Sequence, residues 1–260
     1  MSNPNNIQDE VYKLESTASD AQFAFREKLQ SMYENSPLSQ EDLLFNIGLY
    51  TRSSVLVKFI VLNDLYKRIK HIPGMIVEFG TWYGHNLVLF ENLRAIYEPF
   101  NKQRRIVGFD TFEGYLKPGE KDKQESGAWV ENSYSTQASY QTYLDELLKV
   151  HEGNNVIGHK RGMHTLVAGD VAKTAPAFFT ENASSIVALA YFDMGLYEPT
   201  VAALRAIKPH LVSGSILLMD ELTWPESPGE AIAFKDVFKP NEYALEKCEI
   251  YPSKCIVTIK

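Results

Sequence analysis

The sequence predicts an α/β fold built on an open, mostly parallel seven-stranded sheet whose last strand is reversed. Three observations carry that prediction. Short apolar runs, several ending on an acidic residue, alternate with stretches of helical periodicity. Glycines punctuate the turn after the first run, where open α/β sheets hold a ligand beyond the carboxyl ends of their strands. The chain closes on two strand-like stretches, Tyr243–Ile250 and Lys254–Ile259, around Tyr251-Pro252-Ser253. With 260 residues, 45% of them hydrophobic, one such domain can bury a sizeable core and carry extra segments.

Taken in order, residues 1–20 are polar and are expected to be disordered or to lie on a partner subunit. Ala21–Tyr33 has helical spacing through Phe23, Phe25, Leu29 and Met32. After the break at Asn35–Pro37, Ser39 is placed to cap a short helix over Glu41–Phe45. Arg52–Ile69 is a longer helix with Val55, Leu56, Phe59, Ile60, Leu62, Leu65, Tyr66 and Ile69 on one broad apolar face. Residues 1–70 thus read as an N-terminal helical extension that covers a site, contacts a partner subunit or packs on the core. Residues 71–260 read as the sheet domain. The polar, acidic N-terminus is unlike a secretory signal, and no apolar run reaches membrane-spanning length, so a cytoplasmic protein is expected. A net charge of −7 argues against a nucleic-acid partner. The two cysteines, Cys248 and Cys255, fit no metal motif and read as reduced core residues.

The first strand, from Met75 through Val77, ends on Glu78. Gly80 and Gly84 follow, and Asn86 is placed as the N-cap of a helix over Leu87–Tyr97. The spacing is E-x-G-x-x-x-G, with a carboxylate beside the first glycine. A fixed negative charge there opposes a pyrophosphate and suits an ammonium or sulfonium. Ile106–Phe109 is the second strand and ends on Asp110, a carboxylate placed to accept hydrogen bonds from both ribose hydroxyls of an adenosine. Together, Glu78 and Asp110 favour S-adenosylmethionine over a dinucleotide.

After T-F-E-G-Y-L, the stretch Lys117–Tyr134 is long and aperiodic, as expected of a lid or substrate loop. Trp129 and Tyr134 are placed there either to stack on a substrate or to fold back on the core. Tyr140–Val150 reads as helix and Gly153-Asn154-Asn155 as a break. His164–Ala168 reads as the third strand, ending in Gly169-Asp170, with helix through Phe179. Ser185–Phe192 is the clearest buried strand and ends on Asp193; a helix over Thr200–Lys208 follows. Gly214–Met219 ends on Asp220-Glu221. Neighbouring strand ends should make Asp193, Asp220 and Glu221 converge, and three anions converge only around a positive charge. Mg²⁺, which takes a few carboxylates and leaves room for water and substrate oxygens, answers that need. His85, His159 and His164 are not spaced as a metal motif, and no Ser or Cys nucleophile arrangement stands out.

Several segments carry a resemblance: V-E-F-G-T-W-Y-G-H-N, I-V-G-F-D-T-F-E-G, A-G-D-V-A-K-T-A-P, A-Y-F-D-M-G-L-Y-E-P-T and L-M-D-E-L-T-W-P-E-S-P-G-E. They resemble the macrocin O-methyltransferase family, which includes Mg²⁺-dependent enzymes methylating sugar hydroxyls of macrolide and aminocoumarin antibiotics. The calicheamicin sugar branch looks nearest, sharing Leu49–Thr51, the D-E-L and the P-G-E. The likeness runs from about Leu49 to Ala233. It implies a class I methyltransferase (Rossmann-like) sheet. It also places the cofactor turn on Glu78, Gly80, Gly84 and Asn86, the ribose carboxylate on Asp110, and an adenine-side segment on Gly169, Asp170, Thr174 and Pro176. Its metal carboxylates fall on Asp193, Asp220 and Glu221. The family's second acid in D-x-D-L-Y is Gly195 here, so Gly195→Asp is expected to strengthen metal binding. Glu221 stands where Asp is common, and Tyr83-Gly84-His85 replaces a common Arg-Gly-Gly.

The expected function is Mg²⁺-assisted, S-adenosylmethionine-dependent O-methylation of a hydroxyl on a small glycosylated natural product, by a homodimer or higher homo-oligomer. Asp193 or His164 is the expected proton acceptor. The other readings are a metal-independent or hydroxylation-associated family member and a non-catalytic, S-adenosylmethionine-binding partner subunit.

Overall fold

The computed structural model describes residues 19–122, 129–155 and 164–260. Residues 1–18, residues 123–128 of the expected lid loop, and His159 lie outside the described residues. The chain divides into two compact units, Met1–Ile60 and Val61–Lys260.

In the first unit, α1 (Asp20–Glu34) starts at a capping box: the Ser19 hydroxyl accepts from the Gln22 N–H, and the Gln22 side chain accepts from the Ser19 N–H at 2.8 Å. Ser39 caps α2 (Gln40–Phe45) by accepting from the Asp42 N–H at 3.1 Å. A 3₁₀ turn spans Ile47–Tyr50. No described residue of this unit is buried, and Phe25 and Phe45 are 72% and 88% exposed. The next helix, α3 (Ser53–Ile69), begins in this unit; its buried residues Val61, Leu62, Leu65, Tyr66 and Ile69 belong to the second.

The second unit is built on β1 (Met75–Phe79), β2 (Ile106–Asp110), β3 (His164–Ala168), β4 (Val187–Phe192), β5 (Leu211–Met219), β6 (Tyr243–Lys247) and β7 (Cys255–Ile259). Among the described residues they form one seven-stranded sheet in the order β3-β2-β1-β4-β5-β7-β6. The first five strands are parallel, and β7 runs antiparallel to both β5 and β6. This is the mixed, doubly wound sheet with a reversed last strand that the βα alternation predicts. The helices are α4 (His85–Tyr97), α5 (Tyr140–Asn155), α6 (Val171–Glu181), α7 (Tyr197–Ile207) and α8 (Gly229–Val237). The α4 and α5 helices pack together, as do α6 with α7 and α7 with α8. The rings of Phe109, Phe79 and Phe192 pack in sequence across β2, β1 and β4 at 4.9 Å between centroids, tying the strands that carry the site into one core.

Register levels the strand ends. Phe79 pairs with Phe109 and with Phe192, and Phe192 pairs with Met219. Gly80, Asp110, Asp193 and Asp220 therefore emerge along one edge, at the point where the chain changes direction between β1 and β4. Two local expectations are corrected, and one helix was not expected. Gly84, not Asn86, precedes the first helical residue, with φ +75°; a Cβ there would sit 2.4 Å from Leu144 Cδ1. The α5 helix continues through Gly153 to Asn155 where a break was expected, and α8 falls in a stretch to which no element was assigned.

Candidate active site

Glu78 is buried on β1, and its Oε1 accepts from Asn86 Nδ2 at 2.7 Å. Asn86 thus fixes a carboxylate across the glycine turn. Gly80 has φ +88°, and a Cβ there would lie 2.1 Å from the carbonyl oxygen of Asp193, so only glycine lets β1 and β4 leave the sheet this close. Asp110 anchors the next loop: its Oδ2 accepts from the Trp82 N–H and its Oδ1 from the Phe112 N–H, both at 2.7 Å. Trp82 and Phe112 hold φ of 47° and 57°, so one carboxylate fixes two left-handed non-glycine residues. Burial pushes the Asp110 carboxyl above its usual range, and these N–H donors partly offset it. The Gly169 N–H donates to the Asp110 carbonyl at 2.9 Å, and Gly169 has φ +121°. Asp170 caps α6 by accepting from the Ala172 N–H at 3.0 Å. The structure brings Glu78, Gly80, Gly84, Asn86, Asp110, Gly169 and Asp170 to the carboxyl ends of β1, β2 and β3. This acidic, glycine-opened cradle suits a cationic nucleoside and opposes a phosphate.

On the other side of the switch point, Asp193, Asp220 and Glu221 each offer an oxygen within 4.8 Å of the others. Glu221 is buried, and its Oε2 has no hydrogen-bond partner among the described residues. Beside it Glu230, fully buried at the start of α8, accepts from the Glu221 N–H at 2.9 Å. Burial, then Glu230 and Asp193, push Glu221 well above the usual carboxylate range. Burial likewise pushes Glu230 up to about 8. A converging donor set of oxygens with an orphaned buried carboxylate oxygen fits a hard divalent cation. The described residues also supply a cation: Lys254 Nζ donates to Asp220 Oδ1 and, at 2.7 Å, to the Tyr191 hydroxyl.

His164 is not part of this site. It is the first residue of β3 and pairs with Ile106, the first residue of β2, so it lies at the opposite end of the strands from Asp193. There its Nε2 meets Asp145 at 3.1 Å, and its Nδ1 lies 3.7 Å from Glu152. That place does not fit the proton-acceptor role expected of His164.

The described residues of the loop after β2 pack back on the sheet domain. Trp129 Nε1 donates to Ser227 Oγ at 2.6 Å, and its indole packs over Gly195. The rings of Tyr115 and Trp224 lie 4.8 and 6.2 Å from it. Tyr134 packs edge-on against Trp82 at 5.3 Å. Asp122 accepts from the Tyr197 N–H at 2.8 Å and so caps α7 from a distant loop. Lys254, Tyr191, Glu230 and Asp122 are the residues that sequence reasoning missed. Glu230 and Tyr191 stood within quoted segments, the P-G-E and the A-Y-F-D, and Lys254 and Asp122 carried no local signal.

A family model described as a methyltransferase domain matches residues 77–222. Among solved structures, the calicheamicin methyltransferase CalS11 is 36% identical, with a TM-score of 0.86 over 93% of each chain. An apo structure of CalS11, described as a TDP-rhamnose 3′-O-methyltransferase of calicheamicin biosynthesis, is 36% identical with a TM-score of 0.80, covering 93% of this chain and 95% of the other. The O-methyltransferase NovP shares the fold at a TM-score of 0.60 and 16% identity, over 78% of this chain and 79% of its own. No curated protein sequence matches the chain.

Proposed function

The chain belongs to the methyltransferase-domain family, and from that premise we propose that it is an S-adenosylmethionine-dependent O-methyltransferase acting, with Mg²⁺, on a sugar hydroxyl of a natural-product precursor. One observation carries the reading: the acidic cradle at Glu78 and Asp110 and the carboxylate cluster at Asp193, Asp220 and Glu221 lie on one edge, either side of the β1–β4 switch point. The cradle fits a nucleoside with a positive charge, and the cluster fits a hard cation. The likeness to a TDP-rhamnose methyltransferase supports a nucleotide-linked deoxysugar as the acceptor.

S-adenosylmethionine, when bound, supplies an electrophilic methyl group. Mg²⁺ held by Asp193, Asp220 and Glu221 would lower the pKa of the acceptor hydroxyl. The protein contributes orientation and exclusion of water, since the reaction is a single in-line displacement. Asn86 fixes Glu78, which would hold the methionine end, and Asp110, which holds the Trp82 and Phe112 N–H groups, would accept the ribose hydroxyls. Asp193, at the switch point, accepts the hydroxyl proton. The aromatic corner of Trp129, Tyr115 and Trp224 closes the acceptor side over the Asp193 loop. Residues 1–70, in which Phe25, Leu44 and Phe45 are exposed, would form the extension that meets a second copy of the chain.

A second reading, methyl transfer without a metal, is favoured by the Lys254 ammonium at Asp220. Incubation with S-adenosylmethionine and TDP-rhamnose, followed by mass spectrometry of the sugar and of S-adenosylhomocysteine, tests the reaction. Turnover abolished by chelator and restored by Mg²⁺ supports the first reading; turnover indifferent to chelator supports the second. No S-adenosylhomocysteine with any nucleotide-linked sugar overturns the substrate class.

A further inference from the structure

The reversed strand brings an unexpected group to the carboxylates. Because β7 is antiparallel to β5, Cys255 pairs with Met219, and the residue before Cys255 arrives beside the residue after Met219. Those residues are Lys254 and Asp220. Lys254 is 3% exposed, its Nζ lies over the ring of Tyr251 at 4.5 Å, and it donates to Asp220 Oδ1 and the Tyr191 hydroxyl. The Tyr191 hydroxyl in turn donates to Asp193 Oδ2 at 3.4 Å. One ammonium therefore ties both aspartates, one directly and one through a phenol.

A buried ammonium persists only beside countercharge, and carboxylates gathered this closely persist only beside a cation. Each half of the arrangement explains the other. We propose that Lys254 is the resident countercharge of the acidic cluster: it positions Asp220 and Asp193 before any ion arrives, and it competes with a divalent cation for Asp220, so that it sets the metal affinity of the site. The inference rests on the reading that Asp193, Asp220 and Glu221 hold Mg²⁺. A second positive charge a few ångströms from a divalent ion opposes its entry strongly in a poorly solvated site. Lys254 thus trades metal affinity for a site that is already assembled.

The test is binding of Mn²⁺, a Mg²⁺ surrogate visible to paramagnetic resonance, to the full chain by calorimetry and by the resonance of free ion. Lys254→Gln keeps a donor on Asp220 without the charge and should bind Mn²⁺ at least tenfold more tightly than the wild type. Lys254→Arg keeps the charge and should stay within about threefold. Lys254→Met removes both charge and donor; in chelator it should melt below the wild type, and Mn²⁺ should restore more stability to it than to the wild type. Unchanged or weaker Mn²⁺ affinity in Lys254→Gln overturns the proposal. So does a loss of stability in Lys254→Met that Mn²⁺ does not recover. A wild type that binds no Mn²⁺ overturns the metal reading itself, and the proposal with it.

Discussion

Gly195 lies beneath the indole of Trp129, so close that a Cβ at residue 195 would sit 2.2 Å from Trp129 Cζ2. Its φ of +64° is a second reason for glycine. An acid at this position therefore has no room beneath the indole, and Gly195→Asp should not strengthen metal binding. It displaces Trp129 from Ser227 instead. The variant should lose roughly 1–3 kcal/mol, the usual cost of overpacking and left-handed strain. Urea midpoints measure it; an unchanged midpoint with tighter Mn²⁺ binding would show that the indole yields.

Asp110 has two tasks, and one substitution removes both. Asp110→Ala deletes the acceptor proposed for the ribose hydroxyls and releases Trp82 and Phe112 from their left-handed conformations. Each charge-assisted hydrogen bond lost is worth about 1.5–3 kcal/mol. S-adenosylhomocysteine affinity should fall accordingly in calorimetry. An affinity equal to the wild type would remove Asp110 from the cofactor site.

What the sequence revealed and what it hid divide along one physical line. Glu78, Asp110, Asp193 and Asp220 were legible because each follows a short apolar run, and a parallel sheet delivers every such end to one edge. The same logic excludes His164, which opens its strand and so falls at the other edge. Lys254 was hidden because β7 is reversed: its beginning, not its end, reaches the site. Asp122 and the Trp129–Gly195 contact were hidden because they join residues 75 and 66 positions apart in the chain. The α8 helix was hidden because Gly229 and the preceding prolines mask nine residues of modest periodicity. That cost the reading Glu230.

Away from the site, Arg94 serves two buried carboxylates at once, Glu91 at 2.6 Å and Glu152 at 3.0 Å. Burial pushes Glu91 from its ordinary value of 4.5 up to about 7; Arg94 opposes the shift and Glu152 adds to it. Between those pH values the folded protein keeps a proton that the unfolded chain has released. Its stabilising contribution is therefore complete below pH 4.5 and is lost as pH rises through 7. Glu91→Gln should remove this dependence, so the variant gains on the wild type between pH 5 and pH 8. Urea midpoints at the two pH values check the difference. A gap that stays constant would mean that Glu91 is ionised throughout.

The first unit, Met1–Ile60, buries none of its described residues, while Phe25, Leu44 and Phe45 are 72%, 77% and 88% exposed. Helices this short and this uncovered gain little from propensity alone. A homodimer contact through residues 1–70 is the expected cover. Light scattering at micromolar concentration should give at least twice the chain mass, and Phe45→Glu should reduce it. A monomeric wild type would remove the assignment.

The three carboxylates should not respond alike to neutralisation, because each has a different second partner. Asp193→Asn removes a proposed metal ligand and the proposed proton acceptor, while Tyr191 and Lys254 keep their remaining partners. It should lose most turnover with little loss of stability. Asp220→Asn also strands the Lys254 ammonium without its anion. Breaking a buried pair on one side costs about 3–5 kcal/mol, so this variant should lose stability as well as turnover. Glu221→Gln should be mildest, since Glu230 already holds its backbone and burial already disfavours its charge. Melting temperatures measured beside Mn²⁺ affinities separate the two losses. If Asp220→Asn is as stable as Asp193→Asn, Lys254 does not depend on Asp220. The second, metal-free reading would then lose the ion pair that favours it.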